Sequence, residues 1–600
     1  MTSAIGRPSS MYVAADNDRA TSAKPSLVVR DYLRGHIPQI ICGAILILMA
    51  ANMISLNSKK SITNDEMVHI PAGYHYLKGG DFRQNPEHPP LIKMWAALPL
   101  LALNPTPSSF ERPAGFDYGR FSIESAVTFW KTNKVRFETI VFVARLPMVL
   151  LTLMLGVAIY FLGSELFGVR AAVLGVAMFS LEPTVLAHGR IVHTDTAAAL
   201  GYFLFFFALY RFLKLQSFRR AVWLGLSIGF ALLTKFSMII LVAVFFLVLG
   251  YTLWRVWPSP ERRLELLRQF ATAVLCGLLL INAFYYFQHS ALGRPEVKWI
   301  IHNYPVQGQR VHSAAQFLSI PFPTYYVFGF LAVASHNDIG HSTSLLGRYG
   351  NRGWWYYFPV AFALKTTIPF LLLSIVSVLW ALKRGITEYD RRLLLLVLPV
   401  LLYMAIAMTS SLNIGVRHVL PVFPFLFLLG GALLDRLFSF NARAAVTVFV
   451  LLLGWMFVDA VRAYPHYMVY SSPLLGNTAG WQVLSDSNVE WGEDVGELAR
   501  YLSQRGEKEI LGALSAGWAT LELYGVRMID FAPREPGLAD RPYVALGASH
   551  LNGSTNPGDL KDENGYQLSE SERHNYFSKY RSMTPEVVFG KSIYLYRVRE

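Results

Sequence analysis

Cysteine is nearly absent from this sequence, with only Cys42 and Cys276 among 600 residues. Both lie within apolar runs, so we interpret them as buried thiols, and no disulfide framework is implied. Charged residues are also scarce, at 16% of the chain. A glycine-rich phosphate loop between a strand and a helix, which marks many enzymes that use nucleotides, is missing as well. The sequence therefore gives no reason to expect a soluble nucleotide as a substrate.

Apolar residues, in contrast, make up 53% of the chain and recur in long runs. A helix of about 20 apolar residues crosses the roughly 30 Å of hydrocarbon in a bilayer and satisfies its own backbone hydrogen bonds there. The pattern predicts a polytopic α-helical membrane protein with eleven or more transmembrane helices. The predicted apolar runs are 39–56, 138–162, 170–187, 195–213, 221–234, 236–254, 269–287, 357–381, 393–410, 418–435 and 444–462.

The net charge of +14 could indicate a nucleic-acid partner, but the positions of the basic residues favour a membrane topology instead. The short loops 214–220, 255–268 and 383–392 are rich in lysine and arginine, as cytoplasmic loops of membrane proteins are. The run 221–254 has such a loop at each end, so it should cross the membrane twice, with Lys235 at the outer turn. One long tilted helix is the alternative. We expect no nucleic-acid partner.

These loops divide the chain into three parts. Residues 1–36 are polar and are predicted to form a cytoplasmic tail. Residues 37–462 are predicted to form a transmembrane module with two large outer loops, at 57–137 and 288–356. Residues 463–600 combine amphipathic helix and strand patterns, which predicts a soluble α/β domain on the outer side. All histidines but one lie in or next to predicted outer segments, so polar chemistry is expected on the outer face.

An Asp-Glu pair follows the first apolar run. The carboxylate of Asp65 or Glu66, near the outer membrane surface, could take a proton from an acceptor hydroxyl or amine. The alternative is structural, because Thr63 and Glu66 match a helix capping box and Asp65 would favour a helix N-terminus. His69, one helical turn after Asp65, could orient the Asp65 carboxylate or could be a surface histidine.

The sequence Glu87-His88-Pro89-Pro90 follows in the same loop. Two prolines restrict the backbone before them, so the Glu87 carboxylate and the His88 imidazole are held in extended geometry. Such a pair could bind a phosphate group. Glu87 could also hold a divalent metal, although two ligand-type residues do not define a metal site. A Pro-Pro start of a helix is the structural alternative.

Cationic side chains recur at the predicted outer ends of the apolar runs. Arg190 and Asp195 lie in a short turn, where arginine suits phosphate recognition and a capped helix start is the alternative. Together with further basic groups they could form a pocket for the phosphate of a lipid, whereas snorkelling to the interface explains any single one. The predicted donor-phosphate residues are His88, Arg190, Asp195, Lys235, Lys365, Arg417 and His418.

The middle outer loop and the C-terminal part add polar candidates. Residues 486–494 contain four carboxylates, which could bind an acceptor or an ion, while a solvated helix start is the simpler interpretation. For the acceptor or its sugar we predict five residues, namely His69, Tyr74, Arg310, His336 and His341.

The order of these motifs resembles the GT-C superfamily of membrane glycosyltransferases. The Asp-Glu pair, a Gly-Asp step and the Glu-His-Pro-Pro turn are similar to those of protein O-mannosyltransferases and of the lipid A aminoarabinose transferase. Four later segments are similar to bacterial members that depend on phospholipid carriers. They are LAHGRIVHTDTA (186–197), SLNIGVRHVLPVFPF (411–425), YSSPLLGNTAG (470–480) and LSDSNVEWGEDV (484–495).

The resemblance implies an inverting transfer of a hexosyl or pentosyl group from a polyprenyl-phosphate donor. The acceptor would be a protein hydroxyl, a glycolipid or a polysaccharide on the outer face of the bacterial cytoplasmic membrane. By resemblance, Asp65 is the catalytic base, and Glu66 assists it or shapes the site. Arg190, Asp195 and Lys235 match positions near the donor, and a divalent metal at Glu87 is left open.

His88 departs from the family pattern, which has a lysine facing the donor phosphate. A phosphate role would therefore need a protonated or hydrogen-bonding imidazole at residue 88. The competing class is a transporter or flippase of lipid-linked saccharides, which would share the spans and the buried cations. Such proteins more often show paired halves, and no internal repeat is visible. The expected partners are a lipid-linked sugar donor, an acceptor and membrane lipid.

Overall fold

Helices dominate the chain as far as Ala463, and a five-stranded sheet appears only after it. The computed structural model describes residues 25–108, 118–289, 313, 317–515, 517–530, 542–556 and 566–598. The predicted fold class is confirmed, because a polytopic helical module is followed by a small α/β domain.

Eight helical segments of the described residues are long and apolar enough to cross a membrane. The main helices at the predicted runs 170–187, 221–234 and 393–410 have only 13, 17 and 17 residues, so a count of eleven or more is not confirmed. The predicted run 357–381 is interrupted at Thr366, between two helices. The eight candidate spans are His36–Asn57, Phe137–Phe167, Asp195–Lys214, Phe236–Arg255, Pro260–Phe284, Ile368–Thr387, Val416–Phe440 and Ala442–Ala463.

The secondary structure of the described residues is as follows. The α-helices are α1 Pro25–Asn57, α2 Asn64–Gly79, α3 Pro90–Ala97, α4 Leu100–Leu103, α5 Tyr118–Thr132, α6 Phe137–Phe167, α7 Val169–Leu181, α8 Pro183–His188, α9 Asp195–Lys214, α10 Phe218–Thr234, α11 Ile240–Arg255, α12 Pro260–Phe284, α13 Thr324–Ile339, α14 Tyr357–Lys365, α15 Ile368–Thr387, α16 Arg391–Ala407, α17 Phe423–Phe440, α18 Ala442–Ala463, α19 Gly480–Val483, α20 Val495–Gln504, α21 Gly517–Glu522, α22 Ala548–Asn552, α23 Glu570–Asn575 and α24 Ser578–Arg581. The 3₁₀ segments are Phe236–Ile239, Val416–Val422, Tyr467–Val469, Pro473–Leu475 and Asp486–Asn488. The strands are β1 Thr343–Leu345, β2 Arg348–Gly350, β3 Glu509–Ala513, β4 Arg527–Asp530, β5 Tyr543–Gly547, β6 Val587–Phe589 and β7 Ile593–Arg597.

Helices α10 and α12 pack side by side and run in the same direction. Gly225 lies against Ala273, and Gly229, one turn later, lies against Gly277, so the close contacts advance together along both helices. Because α10 and α12 are parallel, α11 between them runs back the other way. The chain leaves helical geometry at Lys235, which has extended backbone angles. The run 221–254 therefore forms two antiparallel helices with Lys235 at their junction, and the single tilted helix is wrong.

The two predicted outer loops fold into short elements that meet each other. The first loop contains α2 to α5, and the middle loop contributes α13 and the antiparallel β1–β2 hairpin. Gly329 of α13 touches the carbonyl of Pro86, which brings the two loops together. At the other end of the chain, α1 begins at Pro25, so the predicted boundary at residue 36 falls inside a helix.

The C-terminal domain is built on a sheet with strand order β4-β3-β5-β7-β6. Strand β3 pairs in parallel with β4 and β5, whereas β7 pairs antiparallel with β5 and β6. Neighbouring residues face opposite sides, so Ile510 and Leu511 enter two different small cores. The domain is fastened to the helical module by Lys365, whose Nζ donates to the carbonyl oxygens of Met468 and Asn488 at 2.9 and 2.6 Å.

Gly225→Leu is expected to destabilise the packing of α10 on α12, because even a Cβ at residue 225 overlaps the carbonyl of Ala273. Forcing a larger side chain into a packed interface costs about 1–3 kcal/mol. The matched control is Gly250→Leu in α11, where a Cβ meets nothing within 4 Å. Thermal unfolding in detergent should show a lower midpoint for the Gly225 variant alone. Equal midpoints for the two variants would contradict the close packing.

Candidate active site

A cavity of about 690 Å³ lies where the two loops predicted to be outer, the start of α9, the turn after α10 and the segment before α20 meet. Most of the predicted site residues face this space, although they come from distant parts of the sequence. Their contribution to binding or chemistry stays a prediction. The predicted residues that line the cavity are Asp65, Glu87, His88, Asp195, Lys235, His336, His341, Arg417 and His418.

An alternating chain of acids and cations crosses this cavity. Asp65 Oδ2 accepts a hydrogen bond from Arg417 Nη1 at 2.7 Å, and the same nitrogen lies 3.6 Å from Asp195 Oδ2. Asp195 Oδ1 accepts from Lys235 Nζ. Each cation thus faces a carboxylate, which offsets the cost of placing a charge away from water.

Helix ends place these charged side chains. Asp65 lies in the first turn of α2 and Asp195 is the first residue of α9, so both carboxylates are stabilised by a helix N-terminus. Lys235 follows the last residue of α10 directly. Arg417 follows Gly415, whose φ of 140° suits glycine and whose missing side chain leaves room for the Ser487 hydroxyl.

Arg417 is held from two sides by the segment that precedes α20. Its Nε donates to Ser487 Oγ at 3.1 Å, and its guanidinium carbon lies 4.2 Å from the centroid of a Trp491 ring. Stacking of this kind leaves the edge of the guanidinium free for carboxylate or phosphate oxygens. The C-terminal segment therefore fixes the orientation of a cation that belongs to the helical module.

Glu87 and His88 face the cavity immediately before Pro89 and Pro90, which open α3. The Glu87 side chain is exposed to the cavity space, yet the surrounding protein raises the pKa of its carboxyl by burial. Burial, together with the neighbouring His69 and Lys235, lowers the pKa of His88 well below its usual value. The lowered pKa favours the neutral imidazole of His88, which can donate a hydrogen bond to a phosphate.

Two histidines form a second polar edge of the cavity. His336 Nε2 and His341 Nδ1 lie 3.2 Å apart, and His341 Nε2 lies 3.7 Å from Asp486 Oδ2. An apolar part of the wall comes from α11, α13 and α16, with Ile240, Phe330 and Ile406 among its residues. One cavity thus offers charged groups on one side and a hydrocarbon-like surface on the other.

Glu66 does not line the cavity, and its side chain is engaged by neighbouring segments. Its carboxylate accepts hydrogen bonds from Arg145 Nε at 2.8 Å and Nη2 at 2.6 Å, and from the backbone N–H of Val192 at 3.0 Å. It also closes a capping box with Thr63 at the start of α2. Although burial opposes its charge, Arg145 lowers the pKa of Glu66. The structural alternative foreseen for Glu66 therefore accounts for its contacts.

Four further predicted residues lie outside the cavity lining. Arg190 is buried and donates to Glu493, and Lys365 is occupied by the two carbonyls that fasten the C-terminal domain. The hydroxyl of Tyr74 donates to Pro105 O at 2.7 Å, and His69 Nδ1 lies 3.1 Å from Val192 O. Arg310 lies outside the described residues.

The sequence reasoning missed several buried partners. Arg145 lies in an apolar run without any local signal, and Lys93 is buried with Nζ 2.6 Å from Asn85 O. The simpler expectation for segment 486–494, a solvated helix start, is wrong. Glu490 and Trp491 of that segment are buried and line the cavity. The high density of carboxylates in this segment was the sequence signal that could have indicated its role in the cavity wall.

No metal site forms around Glu87 among the described residues. The one group of three metal-type ligands found in that part of the chain consists of His466, Asp494 and Glu497. Lys60 already lies in this group, because its Nζ contacts Asp494 and lies 2.6 Å from His466 Nδ1. An ammonium group there takes the place that a metal ion would need.

Comparison with known proteins gives one family match. Residues 136–286 match the family described as dolichyl-phosphate-mannose-protein mannosyltransferase. This segment contains Arg145, Arg190, Asp195 and Lys235. The resemblance to membrane glycosyltransferases related to protein O-mannosyltransferases, which the motifs indicated, is confirmed by this match. No curated protein matches the sequence.

Several solved structures are similar to the chain at low identity. ArnT from Cupriavidus metallidurans bound to undecaprenyl phosphate is 16% identical, with 93% of this chain and 97% of that chain covered and a TM-score of 0.46. The Archaeoglobus fulgidus oligosaccharyltransferase tethered with an acceptor peptide is 10% identical, covers 92% and 68%, and gives a TM-score of 0.48. The S. cerevisiae protein O-mannosyltransferase complex bound to the sugar donor is 14% identical, covers 42% and 33%, and gives 0.32. These similarities transfer no residue role to this chain.

Glu66→Gln is expected to lower stability, because it leaves the Arg145 guanidinium buried without its counter-ion. Breaking a buried ion pair by changing one partner costs about 3–5 kcal/mol. The control is Glu138→Gln in α6, whose exposed carboxylate lies 3.6 Å from Arg136. Thermal unfolding measures both. If Glu66→Gln keeps the wild-type unfolding midpoint but loses catalytic turnover, Glu66 has a catalytic role.

Glu490→Gln is expected to flatten the pH dependence of stability. Burial raises the pKa of Glu490 to about 7, against 4.5 for an unperturbed glutamate. Between these two pKa values the folded protein keeps the Glu490 proton, whereas the unfolded chain releases it. The stability that this proton contributes is therefore complete below pH 4.5 and is lost as the pH rises to about 7. The difference between the two pKa values corresponds to up to about 3 kcal/mol in the free energy of unfolding.

Unfolding midpoints of the wild type, Glu490→Gln and the control Glu507→Gln, compared between about pH 4.5 and pH 7.5, test this expectation. The wild type and the control should lose stability across this interval by more than Glu490→Gln does. Parallel curves for all three proteins would show that Glu490 titrates normally in the fold.

Proposed function

We propose that this chain is a membrane glycosyltransferase that moves a sugar from a polyprenyl-phosphate donor to an acceptor with inversion at the anomeric carbon. One observation carries the proposal. A single cavity combines the Asp65 carboxylate, the paired cations Arg417 and Lys235, and an apolar wall. A lipid-linked sugar phosphate needs all three, since its tail is apolar, its phosphate is anionic and its acceptor must lose a proton.

Arg417 and Lys235 are the groups proposed to meet the donor phosphate. During transfer the bond between the anomeric carbon and the phosphate oxygen breaks, and negative charge builds up on that phosphate. Preorganised cations in a site with little water stabilise such charge strongly. His88 and His418 can add hydrogen bonds from the same wall. Asp195 holds Lys235 and lies beside Arg417, so we assign it a positioning role.

Asp65 is proposed to take the proton of the acceptor. Only its Oδ2 is bound by Arg417, and among the described residues no hydrogen bond engages Oδ1. Oδ1 is therefore the oxygen available to the acceptor hydroxyl. As the acceptor oxygen forms its bond to the anomeric carbon, its proton passes to Asp65, and the sugar–phosphate bond breaks on the opposite side.

The apolar wall is proposed to receive the first part of the polyprenyl chain. Ile240 follows the turn at Lys235, and Ile406 lies near the end of α16, so the hydrocarbon surface continues from the cations along α11 and α16. The family match, whose description refers to dolichyl-phosphate-mannose, supports a lipid-phosphate donor. From the basic loops we propose that the cavity faces the outside of the bacterial cytoplasmic membrane, where a protein hydroxyl, a glycolipid or a polysaccharide serves as acceptor.

Asp65→Asn is expected to lower sugar transfer by about a hundred- to ten-thousand-fold, because the amide cannot accept the acceptor proton. The matched control is Asp435→Asn, which removes a carboxylate paired with Arg170 at the surface, away from the cavity. The measurement is turnover of a panel of polyprenyl-phosphate sugars by purified protein, with thermal unfolding to verify the fold. Full transfer by Asp65→Asn would remove Asp65 from the role of base.

The same panel separates transfer from transport of lipid-linked saccharides. Reconstitution in vesicles with donor in one leaflet shows whether the wild type releases the sugar from its lipid or only moves the intact donor across. Release that depends on Asp65 supports the transferase. Movement of intact donor, equal in wild type and Asp65→Asn, would support a flippase instead.

A further inference from the structure

A second cavity, of about 500 Å³, lies between the end of α18 and the C-terminal sheet. It shares no lining residue with the active-site cavity. Much of its wall is the segment YSSPLLGNTAG (470–480), which the sequence motifs singled out and to which the proposed chemistry gives no role. Lys591 and Tyr594 close it from the side of the sheet.

Two exposed cations, Arg462 and Lys591, line this second cavity, and Arg462 interacts electrostatically with Asp459. Among the described residues, Arg462 and Lys591 form neither an ion pair nor a side-chain hydrogen bond, although both line the cavity. The cavity also contains Asp459, whose Oδ2 accepts a hydrogen bond from the Tyr470 hydroxyl at 3.2 Å. His466 turns Nδ1 to Lys60, which leaves Nε2 for a ligand. Two cations beside one carboxyl leave an excess of positive charge around this concave space, which favours an anionic ligand.

The other lining groups suit a sugar better than a lipid tail. Tyr470, Trp481 and Tyr594 supply aromatic surface, and the rings of Trp481 and Tyr594 pack edge to face with centroids 6.5 Å apart. Asn477 and Thr478 add exposed amide and hydroxyl groups. Aromatic faces with a few polar groups fix the orientation of a small polar ligand. Only Val469, Leu475 and Val489 supply branched aliphatic side chains to this lining, which is little surface for an acyl chain.

We propose that this second cavity binds an anionic saccharide, meaning a sugar that carries a carboxylate or a phosphate. Arg462 and Lys591 bind the anionic group, and the aromatic rings pack against the sugar. The site is separate from the donor cavity and needs neither a metal nor a covalent step.

The two cavities are separated by one short stretch of chain. Val489 lines the second cavity, whereas Glu490 and Trp491, the next two residues, line the first. Successive residues advance by at most about 3.6 Å, so the wall is as thin as one extended segment. The two cavities are therefore close neighbours divided by this segment.

The test is calorimetric titration of the full-length protein in detergent with trigalacturonate and with glucose 6-phosphate, beside the neutral sugar maltotriose. The variant is the double change Arg462→Gln and Lys591→Gln. The matched control is Arg443→Gln with Lys508→Gln, which removes one exposed cation from the other end of α18 and one from the C-terminal domain. Saturable binding of an anionic sugar, weakened at least tenfold by the variant and not by the control, is the expected result.

Absence of saturable binding of both anionic sugars, or equal binding by the variant, would overturn the proposal. So would binding of maltotriose as tight as that of the charged sugars. If phosphatidylglycerol in mixed micelles binds through the two cations and neither sugar does, the ligand is a lipid headgroup and the proposal is wrong. Asp65→Asn should bind the anionic sugar normally, so a failure of sugar transfer and a failure of this site are separate outcomes.

Discussion

Arg417 is the side chain through which the separate parts of this protein meet. Its guanidinium binds Asp65 at the start of α2, lies beside Asp195 at the start of α9, and contacts Ser487 and Trp491 from the C-terminal part. Charge that is withdrawn from water must be compensated nearby, and each of these segments supplies part of that compensation. The shape of the cavity therefore depends on one buried cation being satisfied from several directions at once.

The C-terminal domain forms part of the wall of the first cavity. Asp494 binds Lys60, and Glu493 binds Arg190, so consecutive carboxylates reach two different places in the helical module. Glu490 turns the other way and accepts backbone N–H groups of Ser515 and Ser549 at 2.8 and 3.2 Å. The four carboxylates that looked like a solvated patch are thus distributed between the module and the domain, and they hold the wall in place.

Much of this arrangement could be predicted from the sequence, and what could not has a physical reason. The run lengths and basic loops predicted the helical module and the turn at Lys235, because hydrophobic length and charge act locally. Asp65 and Glu66 show the limit. A capping box and a catalytic pair have the same sequence pattern, and only the distant Arg145 distinguishes them. Lys365 was expected at a phosphate and instead binds carbonyls, because the sequence does not show which buried partner lies nearest in space.

The pairing of every cavity cation constrains how a donor can bind. Lys235 already faces Asp195, and Arg417 faces Asp65. An incoming phosphate adds negative charge beside these carboxylates, so it must share or replace a partner rather than meet a free cation. Arg417 can bind Asp65 and a phosphate at the same time, because a guanidinium has several N–H groups. Nη1 is bound to Asp65 and Nε to Ser487, which leaves further N–H groups for the phosphate. A lysine at residue 417 would offer a single charged nitrogen and would have to release Asp65. In the proposed reaction, arginine can therefore hold the base and the leaving phosphate together, which keeps the two reacting ends at a fixed separation.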